Sequence, residues 1–507
     1  MPHPKPSRAE ITQAVWNACD TMRGTLDPTL YKDYVLALLF FKYVSDVYTA
    51  HKEQLEEQYG DNPELIKRKL ERERFIIPDG RTFDDIVEAR EVEDPDLGDK
   101  INKALAAIER ANPDKLETVF RDVNFASVAN LGEKKDRNRR LRNLIDKFDT
   151  PKLNFRGYAD DPKGDDIIGD AYLFLIGRFA SDAGKKGGEF YTPREVSEIV
   201  ARVVDPQPGE RIYDPAMGSA SLAIETARQV GSEDFAIYGQ EVNRMTWALA
   251  KMNLFLHRID GATVKRGDTI NTPKLKEGDR LMRFDVVVAN PPFSLKNWGK
   301  AEAKEDEWER FDRGVPPKNR GDYAFILHMI HSAREETGRV ASVVPHGVLF
   351  RGGAERRIRR SLVEDNLLDA VIGLPEGLFF GTGIPAAIFV VRKDRDATGR
   401  EDVLFIDASE DYEDATGQNR LREQDVNRIV QAYRARKEVD KFAYVASREE
   451  IAENNFNLNI PRYVDTFEPE PRVDLDAVQD EIDRIHRDLA ETRSALREHL
   501  DALGLPQ

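Results

Sequence analysis

Between residues 165 and 395, short apolar runs alternate with segments long enough for amphipathic helices: ERIYDPA, FAIYGQE, ATVKRGD, FDVVVANPPF, RVASVVPHGVL, LLDAVIGLP and AAIFVVRK. Parallel neighbours in a sheet need a crossover of a dozen or more residues between them, and these spacings supply it. The pattern predicts an α/β fold built of βαβ units around a mostly parallel sheet. It also places any ligand beyond the carboxyl ends of the strands.

The flanks read differently. From about residue 8 to 150, ITQAVWNACDTMRG and the run from Tyr31 to Val47 carry apolar residues at helical spacing, which predicts a helical domain. Its longest apolar run, Tyr34 to Phe41, has eight residues. That is a core helix and far too short to span a bilayer. At the other end EPEPR (Glu468 to Arg472) reads as a linker. Beyond it Leu475, Val478, Ile482, Ile485, Leu489, Leu496 and Leu503 follow a three-four spacing, with Thr492 filling one place. This is a coiled-coil seam, and so narrow a stripe wants a partner helix, either in the N-terminal domain or, the favoured reading, in another chain. The expected division is 1–160 helical, 161–467 sheet-bearing and 468–507 a terminal docking helix, because 507 residues exceed what one core holds.

Composition narrows the function. A single cysteine, Cys19, excludes a disulfide framework or a cysteine metal site within the chain, and with no secretory signal visible it fits a cytoplasmic setting. No metal site is expected. No GxxxxGK[ST] phosphate loop occurs, which argues against an ATP-driven motor. The net charge of −16 means that, for a nucleic-acid substrate, a more basic partner supplies much of the phosphate contact. The basic run Glu133 to Phe148 reads as a solvated helix face, with DNA-backbone contact as the sharper alternative. Arg351 and the run Arg356 to Arg360 divide the same way, between phosphate contact and an exposed helix face.

The candidate chemistry sits at the strand ends. The first strand ends YDPAMGSASL, where Asp214 precedes a small-residue turn (Gly218, Ser219, Ala220) that lets backbone approach a ligand at a helix start. The next ends in Glu241, which can accept from both hydroxyls of a ribose. The third ends in Asp268, placed to accept from an adenine amino group. Singly these acids are ordinary helix-start residues; together they describe a nucleoside pocket. Upstream, GEFYTPREV suggests a capping box of Thr192, Pro193 and Glu195. Its functional reading is a loop closing over the amino-acid end of a cofactor.

The fourth strand delivers Asn290, Pro291, Pro292 and Phe293. The Asn290 side-chain oxygen and the Pro291 carbonyl can both accept from one exocyclic amine, whose lone pair is otherwise delocalised into its ring. Two acceptors draw that nitrogen toward tetrahedral geometry. The prolines add no competing N–H, and Phe293 can stack on a flipped base. Phe379 and Phe380 could flank such a base or pack in the core.

In the order GEFYTP, DPAMGSAS, YGQE, RGD and NPPF, the chain resembles amino-methyltransferases that use S-adenosylmethionine. RGTLDPTLYKDYVLALLFFKYVSD, GDAYLFLIGRFA, VVPHGVLFRGG, GLPEGLFFGTGIPAAIFVVRK and FNLNIPRYVD extend the likeness, nearly end to end, to the modification subunits of type I restriction-modification systems. The resemblance implies a Rossmann-like methyltransferase sheet with an N-terminal helical domain and a C-terminal coiled-coil helix. It implies S-adenosylmethionine held by Glu189, Phe190, Tyr191, Thr192, Pro193, Arg194, Gly218, Ser219, Ala220 and Glu241, with Asp214 shaping the pocket and Asp268 at the adenine. Asn290, Pro291, Pro292 and Phe293 would be the catalytic set for adenine N6. The implied partners are double-stranded DNA, a specificity subunit docked through the C-terminal helix, a second modification subunit and a restriction/translocase subunit, with no membrane. One departure stands out: Ala220 replaces the second glycine of the usual G-S-G turn. The alternatives are an amine or amide methyltransferase acting on protein glutamine or RNA, and a non-catalytic assembly subunit of a DNA-binding complex.

Overall fold

A computed structural model describes residues 5–20, 28–161, 164–183, 191–380, 383–414, 418–466 and 474–504. Its centre is a nine-stranded sheet: β1 (Glu210–Asp214), β2 (Phe235–Glu241), β3 (Thr263–Arg266), β4 (Val286–Ala289), β5 (Arg339–Pro345), β6 (Leu368–Gly373), β7 (Ala386–Arg392), β8 (Val403–Asp407) and β9 (Ala443–Ala446). The order across the sheet is β9-β8-β6-β7-β5-β4-β1-β2-β3. β7 runs antiparallel to β5 and β6, and β9 antiparallel to β8; the remaining neighbours are parallel. Chain order reverses direction between β1 and β4, which opens a crevice beyond their carboxyl ends. All seven residues of β5 and all four of β4 are buried, as expected of strands covered on both faces. The sheet extends past the seven expected strands. β8 and β9 lie in a stretch that reads as mixed, and β9 is only four residues long with two of them half-buried.

Helices Arg8–Cys19, Pro28–Tyr59, Leu97–Ala111, Lys134–Phe148 and Gly164–Ala183 form the expected helical layer. It shares one hydrophobic cluster with a face of the sheet, running from Ile11 and Phe40 through Phe255 to Val286 and Leu404. Rings of Phe40, Phe75 and Phe255 meet at 5.5–6.4 Å between centroids. Polar ties rim this seam: the Arg74 Nε donates to both oxygens of Asp260 at 2.9 and 3.1 Å, and Lys115 reaches the same carboxylate at 3.3 Å. Cys19 is fully buried.

The basic run is less solvated than its charge suggests. Arg137 is buried and donates to the Ala126 carbonyl, Arg140 to that of Leu131 and Arg142 to that of Glu93, while Lys134 pairs with Asp96. These cations brace the helix against its neighbours.

Residues 1–464 form one compact unit and 465–507 a second. The second is a helix, Leu475–Ala502, whose start is capped by the Asp474 carboxylate accepting from the Asp476 and Ala477 amides. None of its residues is buried; Leu475, Ile485 and Leu503 are 75, 54 and 71% exposed. Among the described residues, no helix is long and apolar enough to cross a membrane.

Candidate active site

The crevice is built from the turns that follow four strands. After β1 the chain must reverse within a few residues to start the helix Ser221–Gln229. It does so with Gly218 at φ 55° and Ala220 at φ 65°, ψ 10°. The alanine therefore stands in the left-handed region, at a cost of about 1 kcal/mol relative to glycine. Its methyl is fully buried, and that packing offsets part of the strain. The Met217 amide donates to the Gln240 carbonyl at 3.1 Å, which fastens the turn to the end of β2.

The three acids serve these turns directly. One Asp214 oxygen accepts from the Ala216 amide at 2.9 Å. Glu241 takes the Gly218 amide at 2.9 Å on one oxygen and the Asn243 amide at 2.7 Å on the other. Asp268 accepts from the Ile270 and Asn271 amides at 2.9 and 3.0 Å and from the Asn271 side chain at 2.7 Å. A carboxylate has about four acceptor sites, so each keeps capacity for a ligand. The acids do not touch one another. Backbone links them instead: Gly267 donates to the Glu241 carbonyl, and the Thr269 hydroxyl to that of Pro215.

Asn290, partly buried, follows β4 and meets the upstream loop. Its Nδ2 donates to the Thr192 Oγ1 at 3.1 Å, which leaves Oδ1 free to accept elsewhere. Here the expected capping box fails. The helix runs Arg194–Val204 with Pro193 at its cap position and no side-chain cap bond. The buried Thr192 hydroxyl is drawn to Asn290 instead, and the Pro193 carbonyl accepts the Ser197 amide at 3.0 Å. Pro291 is buried, Pro292 exposed and Phe293 half-buried. Phe379, 5% exposed, sets its ring edge-on to Phe293 at 6.0 Å, and Phe380 lies 6.0 Å from Tyr191. Burial lifts the Tyr191 hydroxyl to about 12, with Glu195 adding to the rise. Arg194 is exposed. Glu189 and Phe190 lie outside the described residues. A cavity of about 480 Å³ adjoins this loop, lined among others by Tyr191, Thr192, Arg194, Ser221 and Phe380. It does not reach Gly218, Glu241, Asp268 or Asn290.

Sequence reasoning missed the anchor on the far side of Phe293. Ser294 sits at φ 51°, and its amide donates to Asp322 Oδ1 at 2.7 Å. Asp322, 2% exposed, opens the helix Asp322–Ser332. Its other oxygen takes Arg351 at 3.0 Å, and Arg351 also reaches Glu355 at 3.1 Å. Arg351 is thus committed to carboxylates, and Arg359 is buried against the carbonyls of Val348, Arg351 and Phe456. Arg356, Arg357 and Arg360 form the exposed face of that run. An acid opening an apolar helix directly after glycine, in GDYAFILHMI, was the available signal.

Burial shifts the acids near the β1 end toward their protonated forms. Burial, and secondarily the charge of Glu241, pushes the Asp214 carboxyl up to about 8, and burial raises Glu241 as well. The buried Ser219 hydroxyl in the same turn has no hydrogen-bond partner among the described residues. Two desolvated acids and an unsatisfied hydroxyl fit a ligand rich in hydroxyl groups. No cluster of His, Cys, Asp or Glu suited to a metal occurs among the described residues.

The raised Asp214 has a measurable consequence. Between its ordinary value of 3.8 and about 8 the folded protein holds a proton that the unfolded chain has released. Stability from this group therefore falls as pH rises through that window. Asp214→Asn removes the penalty, so its melting temperature should gain on the native protein progressively from pH 5 to pH 9. A gap that stays constant across melts at pH 5, 7 and 9 would refute a raised Asp214.

Comparison with known proteins gives a consistent result. A model of the N-6 DNA methylase family matches residues 163–471, and a model of the HsdM N-terminal domain matches residues 11–148. The chain is 31% identical to the type I restriction enzyme MpnII methylase subunit of Mycoplasma pneumoniae, over 94% of this chain and 93% of that one. It is 32% identical to the MjaVIII methylase subunit of Methanocaldococcus jannaschii, over 99% and 86%. A crystal structure of a type I restriction-modification methyltransferase subunit from Streptococcus thermophilus superposes with a TM-score of 0.80 at 34% identity, covering 91% of this chain and all of that one.

Proposed function

This chain belongs to the N-6 DNA methylase family, among the type I restriction-modification methylase subunits, and on that premise we propose that Asn290, Pro291, Pro292 and Phe293 carry its chemistry. The protein is an S-adenosylmethionine-dependent DNA methyltransferase specific for adenine N6. When bound, the cofactor supplies an electrophilic methyl group on a sulfonium. Asp214, Gly218, Ser219, Ala220, Glu241 and Asp268 would hold it, with Tyr191, Thr192, Pro193 and Arg194 at its amino-acid end. Asp214 and Glu241 offer it hydrogen-bonding carboxyls in a desolvated pocket.

The chain's own residues prepare the nucleophile. Asn290 Oδ1 and the Pro291 carbonyl accept the two N–H bonds of adenine N6, which withdraws the nitrogen lone pair from the ring and turns it toward the methyl. Phe293 stacks on the extruded base, at a cost of a few kcal/mol in unpairing. The observation that carries this reading is the Thr192 to Asn290 hydrogen bond. With Nδ2 engaged on the Thr192 hydroxyl, Oδ1 is the end left to accept from the substrate, where the opposite orientation would set donor against donor.

The protein works in a restriction-modification complex with specificity and restriction subunits on DNA. The helix Leu475–Ala502 docks on the specificity subunit, a second modification subunit completes the modifying assembly, and residues 1–160, 161–467 and 468–507 serve as helical, catalytic and docking parts. The exposed apolar stripe of the terminal helix supports that assignment.

The test is transfer of labelled methyl from S-adenosylmethionine to genomic DNA by the chain alone and with its specificity subunit. N6-methyladenine should form, and only with the partner. Cofactor binding with label that never reaches DNA would move the substrate to protein or RNA. Charging Ile485 and Leu489 should abolish co-purification of the two subunits, and unchanged co-purification would reject the docking assignment.

A further inference from the structure

The chain is acidic overall, yet a group of cations beside the catalytic loop makes no ion pair within 4 Å among the described residues, although Glu302, Glu305 and Glu307 follow in the same segment. Two backbone hydrogen bonds create the arrangement: the Gly321 amide donates to the Leu295 carbonyl at 3.0 Å, and the Asn297 amide to that of Lys318 at 3.2 Å. They lay segment 295–297 alongside 318–321, so Lys296, Lys318 and Arg320 share one exposed rim. Lys296 is three residues beyond Phe293. Arg320 is two before Asp322, which grips the Ser294 amide.

The rim is held from within. Trp298 is 2% exposed, and its indole N–H donates to the Pro317 carbonyl at 2.9 Å. The Asn271 side chain joins the Trp298 carbonyl to Asp268 at 3.1 and 2.7 Å. Lys300 and Lys304 continue the rim, lining with Lys318, Asn271 and Asn297 a shallow depression in which Glu302 is the one acid. Among the described residues, none of these five cations has a side-chain hydrogen bond or an ion pair within 4 Å. Elsewhere the exposed cations that brace the fold are paired, as Lys134 with Asp96 and Lys276 with Glu307.

We propose that Lys296, Lys318 and Arg320, continued by Lys300 and Lys304, hold the phosphodiester backbone of double-stranded DNA beside the extruded adenine. The proposal rests on the catalytic reading above and gives it a DNA-facing surface. Unpaired cations on a rigid rim release condensed counterions when they meet phosphates, which is the main source of sequence-independent affinity for DNA. Their attachment to the segment that follows Phe293 sets that backbone at a fixed distance from the base pocket. The partner still reads sequence; this surface positions the duplex.

The experiment uses the complex with its specificity subunit and a genomic duplex fragment that the native complex methylates. Affinity is followed by fluorescence anisotropy from 50 to 300 mM KCl, for the native protein, the triple variant Lys296→Gln, Lys318→Gln, Arg320→Gln, and the double variant Lys300→Glu, Lys304→Glu. The slope of log affinity against log salt should become shallower by about 0.9 per phosphate contact removed. At 150 mM salt the triple variant should bind at least tenfold more weakly, with cofactor affinity unchanged. An unaltered slope in both variants overturns the proposal. So does loss of the specificity subunit from the variants, which would assign the rim to a protein interface. A native complex that binds cofactor but methylates no DNA would sink the catalytic reading itself, a result distinct from either.

Discussion

The Asn290→Ala protein, assembled with its specificity subunit, should bind S-adenosylmethionine normally and transfer methyl about 10²–10³-fold more slowly. That is the usual consequence of removing one preorganised polar group aimed at the reacting centre. The side chain lies at the end of a fully buried strand and is itself partly exposed, so truncation leaves the core intact. Substitutions at Thr192 should grade the same effect. Thr192→Ser keeps a hydroxyl for the Asn290 Nδ2 and should retain most of the turnover. Thr192→Val leaves the amide free to flip and should lose about fivefold in kcat, since each hydrogen bond contributes about 1 kcal/mol. Single-turnover methyl transfer beside calorimetric cofactor binding separates these outcomes. If Thr192→Val and Thr192→Ser behave alike in kcat, the hydroxyl does not orient Asn290.

The second large effect belongs to Asp322. Alanine there leaves the Ser294 amide and the Arg351 guanidinium without their shared acceptor, and breaking a buried charged pair from one side costs about 3–5 kcal/mol. Arg351 retains Glu355 and is 15% exposed in its side chain, so the lower end of that range applies. The melting temperature should fall by several degrees. Turnover should fall further than the stability loss explains at a temperature where the variant is still folded, because Ser294 loses the bond that holds its left-handed conformation. Asp322→Asn keeps an acceptor for that amide and should recover much of the turnover. Melting curves with kcat measured well below the transition decide the matter. A variant that is destabilised yet turns over normally would confine Asp322 to folding.

What the sequence made legible was the part written in short local patterns. Asp214, Glu241, Asp268 and Asn290 each close a short strand pattern, and each falls at or just beyond the carboxyl end of its strand as expected. Ala220 takes the left-handed conformation in the turn where a glycine is usual; the departure from glycine gives no support to a non-catalytic scaffold. What was not legible depends on contacts between distant segments. Thr192 looked like a helix cap because the capping pattern is local, while its partner Asn290 is 98 residues away. Asp322 and Arg351 are 29 residues apart and meet only once the chain has folded. β9 is set by antiparallel pairing with β8, since its own four residues carry too little pattern. The basic run of residues 133–148 misleads for the same reason: charge counted along a chain says nothing of which carbonyls lie within reach.

The seam between the helical layer and the sheet has a consequence for how the molecule comes apart. Phe40, Phe75 and Phe255 lie in one apolar cluster with strand residues such as Val286 and Leu404, and Arg74 closes its rim on Asp260. Two segments that match separate family models therefore share one hydrophobic core. Heat or denaturant should take them through a single transition, and cutting the chain near residue 150 should strand Phe255 in water rather than release a working half. Thermal tolerance of the reaction is then set partly by side chains remote from it: loosening the Phe75 ring would reach the reacting strands as loss of the whole fold.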